Sequence, residues 1–268
     1  MSRIAACFTA ARQIGRKVLI PYVTAGDPEP GQTVGLMHAM VEAGADILEL
    51  GVPFSDPMAE GPVIQKAMER ALTHAVSLDD VLDMVRTFRQ QDNTTPVVLM
   101  GYLNPIEVKG YARFAAEAAA AGIDGVLTVD LPPEEGEDYI RTLQAQDIDR
   151  IFLISPTTDA ERMATVSRAS SGFIYYVSLK GVTGAANIDT KAVGDRVSAI
   201  HALTDLPVGV GFGIKDAGSA AAVAAVADAV VVGSALVRQI EANMTSAGKI
   251  NQAVAALLGD MRRAMDAL

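Results

Sequence analysis

The chain carries two kinds of residue whose type and spacing could do chemistry: carboxylates in one apolar run and glycines in two others. In ADILELGVPFSDPMAEGP, residues 45–62, a strand's alternation puts Leu48 and Leu50 on one face and Ile47, Glu49 and Gly51 on the other. If the leucines meet surrounding helices, Glu49 points into the interior near the strand's end. Burial there favours the neutral carboxyl and raises its pKa, which suits a general acid/base. A buried structural hydrogen bond is the other reading of the same residue. Asp56 and Glu60 follow, among Pro53, Pro57 and Pro62. Asp56 alone reads as a solvated loop charge. Glu60, beside Gly61 and leading into the helical pattern PVIQKAMERAL, is placed to fold back and face Glu49. Two carboxylates in different environments can divide acid and base roles.

The glycines point to an anion. VGVGFGIKDAGS (208–219) and VVVGSAL (230–236) each run from a strand pattern into a helix pattern. Backbone N–H groups of Gly213, Gly233 and Ser234 at such helix starts would form a phosphate cradle, and KGVTGA offers the amide of Gly184. Structural turns are the alternative. The GxGxG spacing of Gly209, Gly211 and Gly213 does not match a dinucleotide fingerprint. His38, His74 and His201 are scattered over helical segments, so no metal site is expected. Cys7, the single cysteine, reads as a small apolar filler with no disulfide partner. No HExxH, P-loop or nucleophile elbow is present. Cofactor-free acid/base chemistry on a small phosphorylated molecule is what remains.

These residues sit on a repeating frame. Eight runs rich in Val, Ile and Leu (KVLIPYVTAG, ADILELGVPF, PVVLMGYL, DGVLTVDL, RIFLIS, FIYYVS, LPVGVGF and DAVVVGS) alternate with helical patterns. Strands so uniformly apolar are buried on both faces, as parallel strands are. Eight βα units predict an α/β fold, a (β/α)8 TIM barrel, with an open doubly wound sheet as the alternative. No linker divides the chain, so residues 1–268 read as a single barrel domain with an extra N-terminal helix in MSRIAACFTAARQIGRK. In GQTVGLMHAMVEAG, Val34, Met37 and Val41 are expected on one helical face, and Gly122 is expected to end the helix GYARFAAEAAAAG. The last helix carries a stripe of Ile250, Val254, Leu257, Leu258, Met261 and Met265.

In a barrel the long connections GVPFSDPMAEGP and SLKGVTGAANIDT lie at the C-terminal face, where active sites form. Lys+Arg of 22 against Asp+Glu of 32 give a net charge of -10, which disfavours nucleic acid and anionic membranes. The most membrane-like stretch, Gly218–Val237, has Asp228 in its middle and reads as a buried helix followed by a buried strand. Nothing suggests an oxidising compartment, and a cytoplasmic location is expected.

At these residues the sequence resembles the tryptophan synthase alpha chains. The resemblance covers the whole chain through IPYVTAGDP, LELGVPFSDPMAEGP, GYLNP, GVTGA, GFGI and GSA. It implies a barrel lyase that cleaves indole-3-glycerol phosphate to indole and glyceraldehyde 3-phosphate by a retro-aldol reaction, in L-tryptophan biosynthesis, with no cofactor of its own. It further implies a partner, the pyridoxal-phosphate-dependent β chain, in an α2β2 heterotetramer. Position by position, Glu49 resembles the family's principal acid/base. Glu60 falls where a second carboxylate, more commonly Asp, meets the indole N–H. Tyr175 and Thr183 match substrate-side and loop positions, and Gly184, Gly213, Gly233 and Ser234 match the phosphate site. Around the indole ring the resemblance places Tyr22, Ile64, Met100, Leu127, Val129, Leu153 and Phe212. Asp56 becomes a candidate contact with a basic residue of the partner. Without that partner, the Pro53–Pro62 segment is expected to be mobile, with Glu60 often displaced. Another sugar-phosphate lyase or isomerase, or a non-catalytic subunit, are the rival readings.

Overall fold

The structure is a computed structural model that describes residues 2–178, 189–211 and 213–268. Nine parallel strands form one sheet: β1 (Val18–Thr24), β2 (Leu48–Gly51), β3 (Val97–Gly101), β4 (Gly125–Thr128), β5 (Asp149–Ile151), β6 (Leu153–Ile154), β7 (Ile174–Val177), β8 (Val208–Gly211) and β9 (Ala229–Val232). Their order is β5-β4-β3-β2-β1-β9-β8-β7-β6, so the two ends of the sheet are consecutive in sequence. The single run RIFLIS is therefore one barrel strand in two segments, broken at Phe152. Its first half pairs with β4 and its second with β7. The Phe152 carbonyl still accepts the Tyr175 N–H at 3.1 Å. Eight barrel positions result, and the sheet closes on itself.

Closure divides the apolar residues into two groups. Outside, Leu48 and Leu50 of β2 share a cluster with Leu36, Met37 and Met40 of the helix Thr33–Glu42 and with Val81, Leu82 and Val85 of the helix Leu78–Arg89. Inside, Val18, Ile20, Ile47, Val98, Leu127, Ile151, Phe173 and Val231 meet one another. Because Ile47 faces inward and Leu48 outward, the alternation directs Glu49 inward.

The helix Arg3–Gln13 closes the N-terminal end. Ile4, Phe8 and Ala11 belong to the interior cluster, and Phe8 lies 5.9 Å from Phe173 between ring centroids. Ser2 caps this helix through the Ala5 N–H and donates to Asp149 at 2.6 Å, while Arg3 pairs with Asp124 at 2.9 Å. Gly125 leaves room for Ile4, whose Cδ1 would stand 2.9 Å from an added Cβ.

Two helix expectations shift by a residue. Thr33, Leu36, Met37 and Met40 are the buried face of the second helix, while Val34 and Val41 are half-buried at its margins, because this helix faces both the sheet and the helix Ala247–Asp266. In that last helix Leu257 is half-buried and Arg262 is buried, its guanidinium donating to the Lys17 carbonyl at 2.8 Å and reaching Asp46. Gly122 ends the helix Tyr111–Ala121 in a left-handed conformation, as expected. The Gly218–Val237 stretch divides among the helix Ala217–Ala224, β9 and the helix Ser234–Ala242. Among the described residues no helix is long and apolar enough to cross a membrane.

Phe8→Ala should destabilise the fold by about 3 kcal/mol, the lower range for truncating a buried Phe. Urea unfolding measures it. A loss below about 1 kcal/mol would show that the helix lies on the barrel without filling it.

Candidate active site

Glu49 lies on β2 between Tyr22 of β1 and Val98 of β3 in register. It is 1% exposed, and neither carboxylate oxygen has a hydrogen-bond partner among the described residues. Loss of hydration pushes its pKa up to about 8. Near neutrality the group is therefore mostly a neutral acid that can give up a proton and take one back. Among the described residues no donor holds the carboxylate, as a structural hydrogen bond would require.

Two phenols share its surroundings. Burial raises the pKa of both Tyr22 and Tyr175, and the Glu49 charge adds to the effect at each. The Tyr22 hydroxyl lies 3.2 Å from Thr24 Oγ1. Each ring occupies space that a glycine on the next strand leaves open: an added Cβ would stand 2.2 Å from the Tyr22 oxygen at Gly51 and 2.3 Å from the Tyr175 oxygen at Gly211. Gly209 likewise stands against Phe173. Gly209 and Gly211 thus serve packing.

Glu60 comes to the same mouth from the segment before the helix Pro62–Leu72. Tyr102, just beyond β3, donates its hydroxyl to Glu60 Oε2 and accepts the Ala59 N–H at 2.9 Å. Gln65 ties the segment's carbonyls, donating to Glu60 O at 2.8 Å and to Pro57 O at 3.2 Å. Desolvation raises the Glu60 pKa, and the Tyr102 hydrogen bond opposes the rise. After burial and the opposing Thr24 hydrogen bond, the charges of Glu60 and then Glu49 bear on the Tyr22 phenol, so one residue senses both carboxylates. In the structure Glu60 is held beside the barrel mouth. The reason is Tyr102, which sequence reasoning missed. GYLNP was a visible motif, but nothing in it shows a contact with a residue 42 positions away.

Six of the residues expected around the ring fall in two adjoining apolar clusters. Met100, Leu127, Val129, Leu153 and Tyr175 line the interior cluster, and Met100 also joins Tyr22 and Ile64 in an adjoining one. Thr183, Gly184 and Phe212 lie outside the described residues. Of the cradle, Gly233 caps the helix Ser234–Ala242 and Ser234 is its first residue, so both amides stand at a helix N-terminus. Gly213 differs from expectation. The next helix begins only at Ala217, capped by Asp216, and Gly213 sits in the preceding turn at φ 76°, a conformation that favours glycine. The Tyr22 ring passes beside Gly233, where an added Cβ would lie 3.4 Å from it. Tyr22 therefore spans from the cradle to the carboxylates. His38 packs at a tilt against Phe88, His74 faces the Pro28 carbonyl at 3.0 Å and His201 faces Asp228 at 2.9 Å, all apart from the mouth.

Comparison with known proteins agrees with this geometry. The model of the family described as "Tryptophan synthase alpha chain" matches residues 8–266. The chain is 63% identical to the tryptophan synthase alpha chain of Thioalkalivibrio sulfidiphilus over 266 residues, covering 99% of this chain and 100% of that one. It is 61% identical to that of Alkalilimnicola ehrlichii, covering 100% and 98%. Among solved structures, tryptophan synthase subunit alpha from Legionella pneumophila superposes with a TM-score of 0.94 at 49% identity, covering all of both chains. A chain of tryptophan synthase from M. tuberculosis, in an aminoacrylate-bound form, gives 0.88 at 35% identity, covering 99% and 100%.

The buried acid has a consequence for stability. Its folded pKa of about 8 lies above the ordinary 4.5, so between these values the folded state holds a proton that the unfolded state has lost, and stability falls as pH rises. Glu49→Gln does not titrate. Its stability relative to the wild type should therefore grow between about pH 5 and about pH 8, by more than about 1 kcal/mol. Urea unfolding at both pH values decides; a constant difference would remove the buried neutral acid.

Proposed function

Since the chain belongs to the tryptophan synthase alpha chain family and is a lyase subunit that cleaves indole-3-glycerol phosphate in tryptophan biosynthesis, we propose that Glu49 and Glu60 run this cleavage as a retro-aldol reaction at the barrel mouth. The observation that carries the assignment is the Glu49 carboxyl on β2, buried with no donor among the described residues. The neutral acid gives its proton to the indole ring carbon that bears the glycerol chain. Glu60 accepts the indole N–H and stabilises the positive charge that develops on the ring. The Glu49 carboxylate then takes the proton of the neighbouring glycerol hydroxyl while the carbon–carbon bond breaks. The bond electrons return to the ring, and the hydroxyl carbon becomes the aldehyde of glyceraldehyde 3-phosphate. Indole leaves, and Glu49 has its proton back.

The remaining residues position the substrate. Amides of Gly213, Gly233 and Ser234, with Gly184, hold the phosphate. Tyr22, Ile64, Met100, Leu127, Val129, Leu153 and Phe212 enclose the ring, and Tyr175 and Thr183 flank the reacting chain. Glu60 is one methylene longer than Asp, which moves its oxygens by roughly 1.5 Å and leaves its charge unchanged. The scheme requires no cofactor in this chain.

A β chain carrying pyridoxal phosphate, in an α2β2 assembly in the cytoplasm, completes the reading. Two large apolar side chains support docking at the mouth: Met58 beside the Glu60 segment, 83% exposed, and Val108 on the helix Leu103–Lys109 after β3, 82% exposed. Asp56 lies beside Met58, exposed, accepting a hydrogen bond from Ser55 at 2.6 Å.

Incubation with indole-3-glycerol phosphate and assay of free indole tests the reaction. Glu49→Gln should lower kcat at least about a hundredfold, because positioned proton transfer contributes on the order of 10² to 10⁴; a variant keeping more than about a tenth of the activity removes Glu49 as the acid/base. For the partner, Asp56→Ala should spare indole release by the chain alone and reduce its stimulation by saturating β chain. Equal stimulation of both proteins excludes Asp56 from the contact.

A further inference from the structure

Glu60 is the second carboxylate of the proposed reaction, and it stands on a segment rather than on a strand. A carboxylate on a loop is useful only while something fixes it against the barrel. Tyr102 meets that segment three times. Its hydroxyl donates to Glu60 Oε2, the same oxygen accepts the Ala59 N–H at 2.9 Å, and its ring stacks on Phe54 with centroids 4.8 Å apart and planes 25° from parallel. Phe54, Ala59 and Glu60 thus bracket the segment, and one side chain holds both its ends.

Tyr102 is itself well anchored. It is 2% exposed and follows Gly101 of β3. The next residue, Leu103, donates its N–H to Asp130 beyond β4 at 2.8 Å, which fixes the chain direction at that point. Rigid strand ends therefore carry the phenol, and the phenol carries the loop.

We propose that Tyr102 is the positioning residue for Glu60, holding the carboxylate at the indole N–H position in the chain without its partner. The proposal rests on the role of Glu60 given above. Phe54 and Tyr102 hold the loop's place by stacking, whereas the hydroxyl is the side-chain donor that directs the carboxylate, beside the backbone amides of Ala59 and Glu60. Removing that hydroxyl should therefore affect turnover more than binding, since ring and phosphate contacts remain.

The test is Tyr102→Phe in the full chain, assayed for indole release from indole-3-glycerol phosphate beside the wild type, Glu60→Ala and the double variant. The single substitution keeps the stack on Phe54 and deletes one oxygen. We expect kcat to fall about 10- to 100-fold, the range for a hydrogen bond to a charged group, with KM changed less than about threefold. Tyr102→Phe combined with Glu60→Ala should be no slower than Glu60→Ala alone, because residues acting through one another are not additive. A kcat within about twofold of the wild type, or losses that multiply in the double variant, overturns the proposal while leaving the reaction assignment in place. A wild type that releases no indole overturns both. A purely structural role for Tyr102 predicts independent losses, so the double variant distinguishes it from positioning.

Discussion

Taking the Glu49 carboxyl out of water without giving it a hydrogen-bond donor is tolerable only while it stays neutral. The surrounding barrel is arranged to keep it so. Strand alternation turns it inward, leucines on either side fasten β2 to the outer helices, and apolar residues fill the layer beneath. A single donor aimed at the carboxylate would favour its charged form and end its use as an acid near neutrality. Among the described residues the phenols Tyr22 and Tyr175 share its surroundings, and Tyr22 is engaged with Thr24. The acid is thus made by withholding partners as much as by burial.

The aromatic side chains at the mouth depend on empty space next door. Tyr22 over Gly51 and Tyr175 over Gly211 are pairs in which one strand gives up a side chain so that its neighbour's ring can lie flat across it. Larger residues at Gly51 or Gly211 would displace a phenol and alter the walls of the site. The same economy links the two ends of the substrate path, because Tyr22 also borders Gly233. The proposed catalytic carboxylates and the proposed phosphate amides are therefore not independent modules. They share a wall, and the helices Pro62–Leu72 and Ser234–Ala242 that follow them pack on one another through Ala67, Met68 and Val237.

Much of this was legible from periodicity. The alternation around Glu49 needed only the identities of Leu48 and Leu50, and the apolar runs announced a closed parallel sheet. What escaped had tertiary causes. The break at Phe152 is not visible in RIFLIS, because a strand that changes partners midway has the same composition as one that does not. The packing use of Gly209 and Gly211 was hidden, because Phe173 and Tyr175, which fill the space they leave, come from another part of the chain. Tyr102 was hidden because a phenol's purpose is set by what approaches it, and Glu60 arrives from a different βα unit. Arg262 carries a charge at a position where the apolar stripe predicts none, since its guanidinium reaches the Lys17 carbonyl and Asp46 through the packed ends of the barrel.

The helix Arg3–Gln13 gives the molecule a direction. With Ile4, Phe8 and Ala11 set into one end of the barrel and Ser2 and Arg3 fastened to Asp149 and Asp124, that end is stoppered. The protein is a cup, not a tube. Access to the interior is then from the opposite, C-terminal face. Anything seated on that rim also controls where the smaller, apolar product goes next. A toll gate and a funnel are then the same surface, and a partner that covers the rim converts release into delivery.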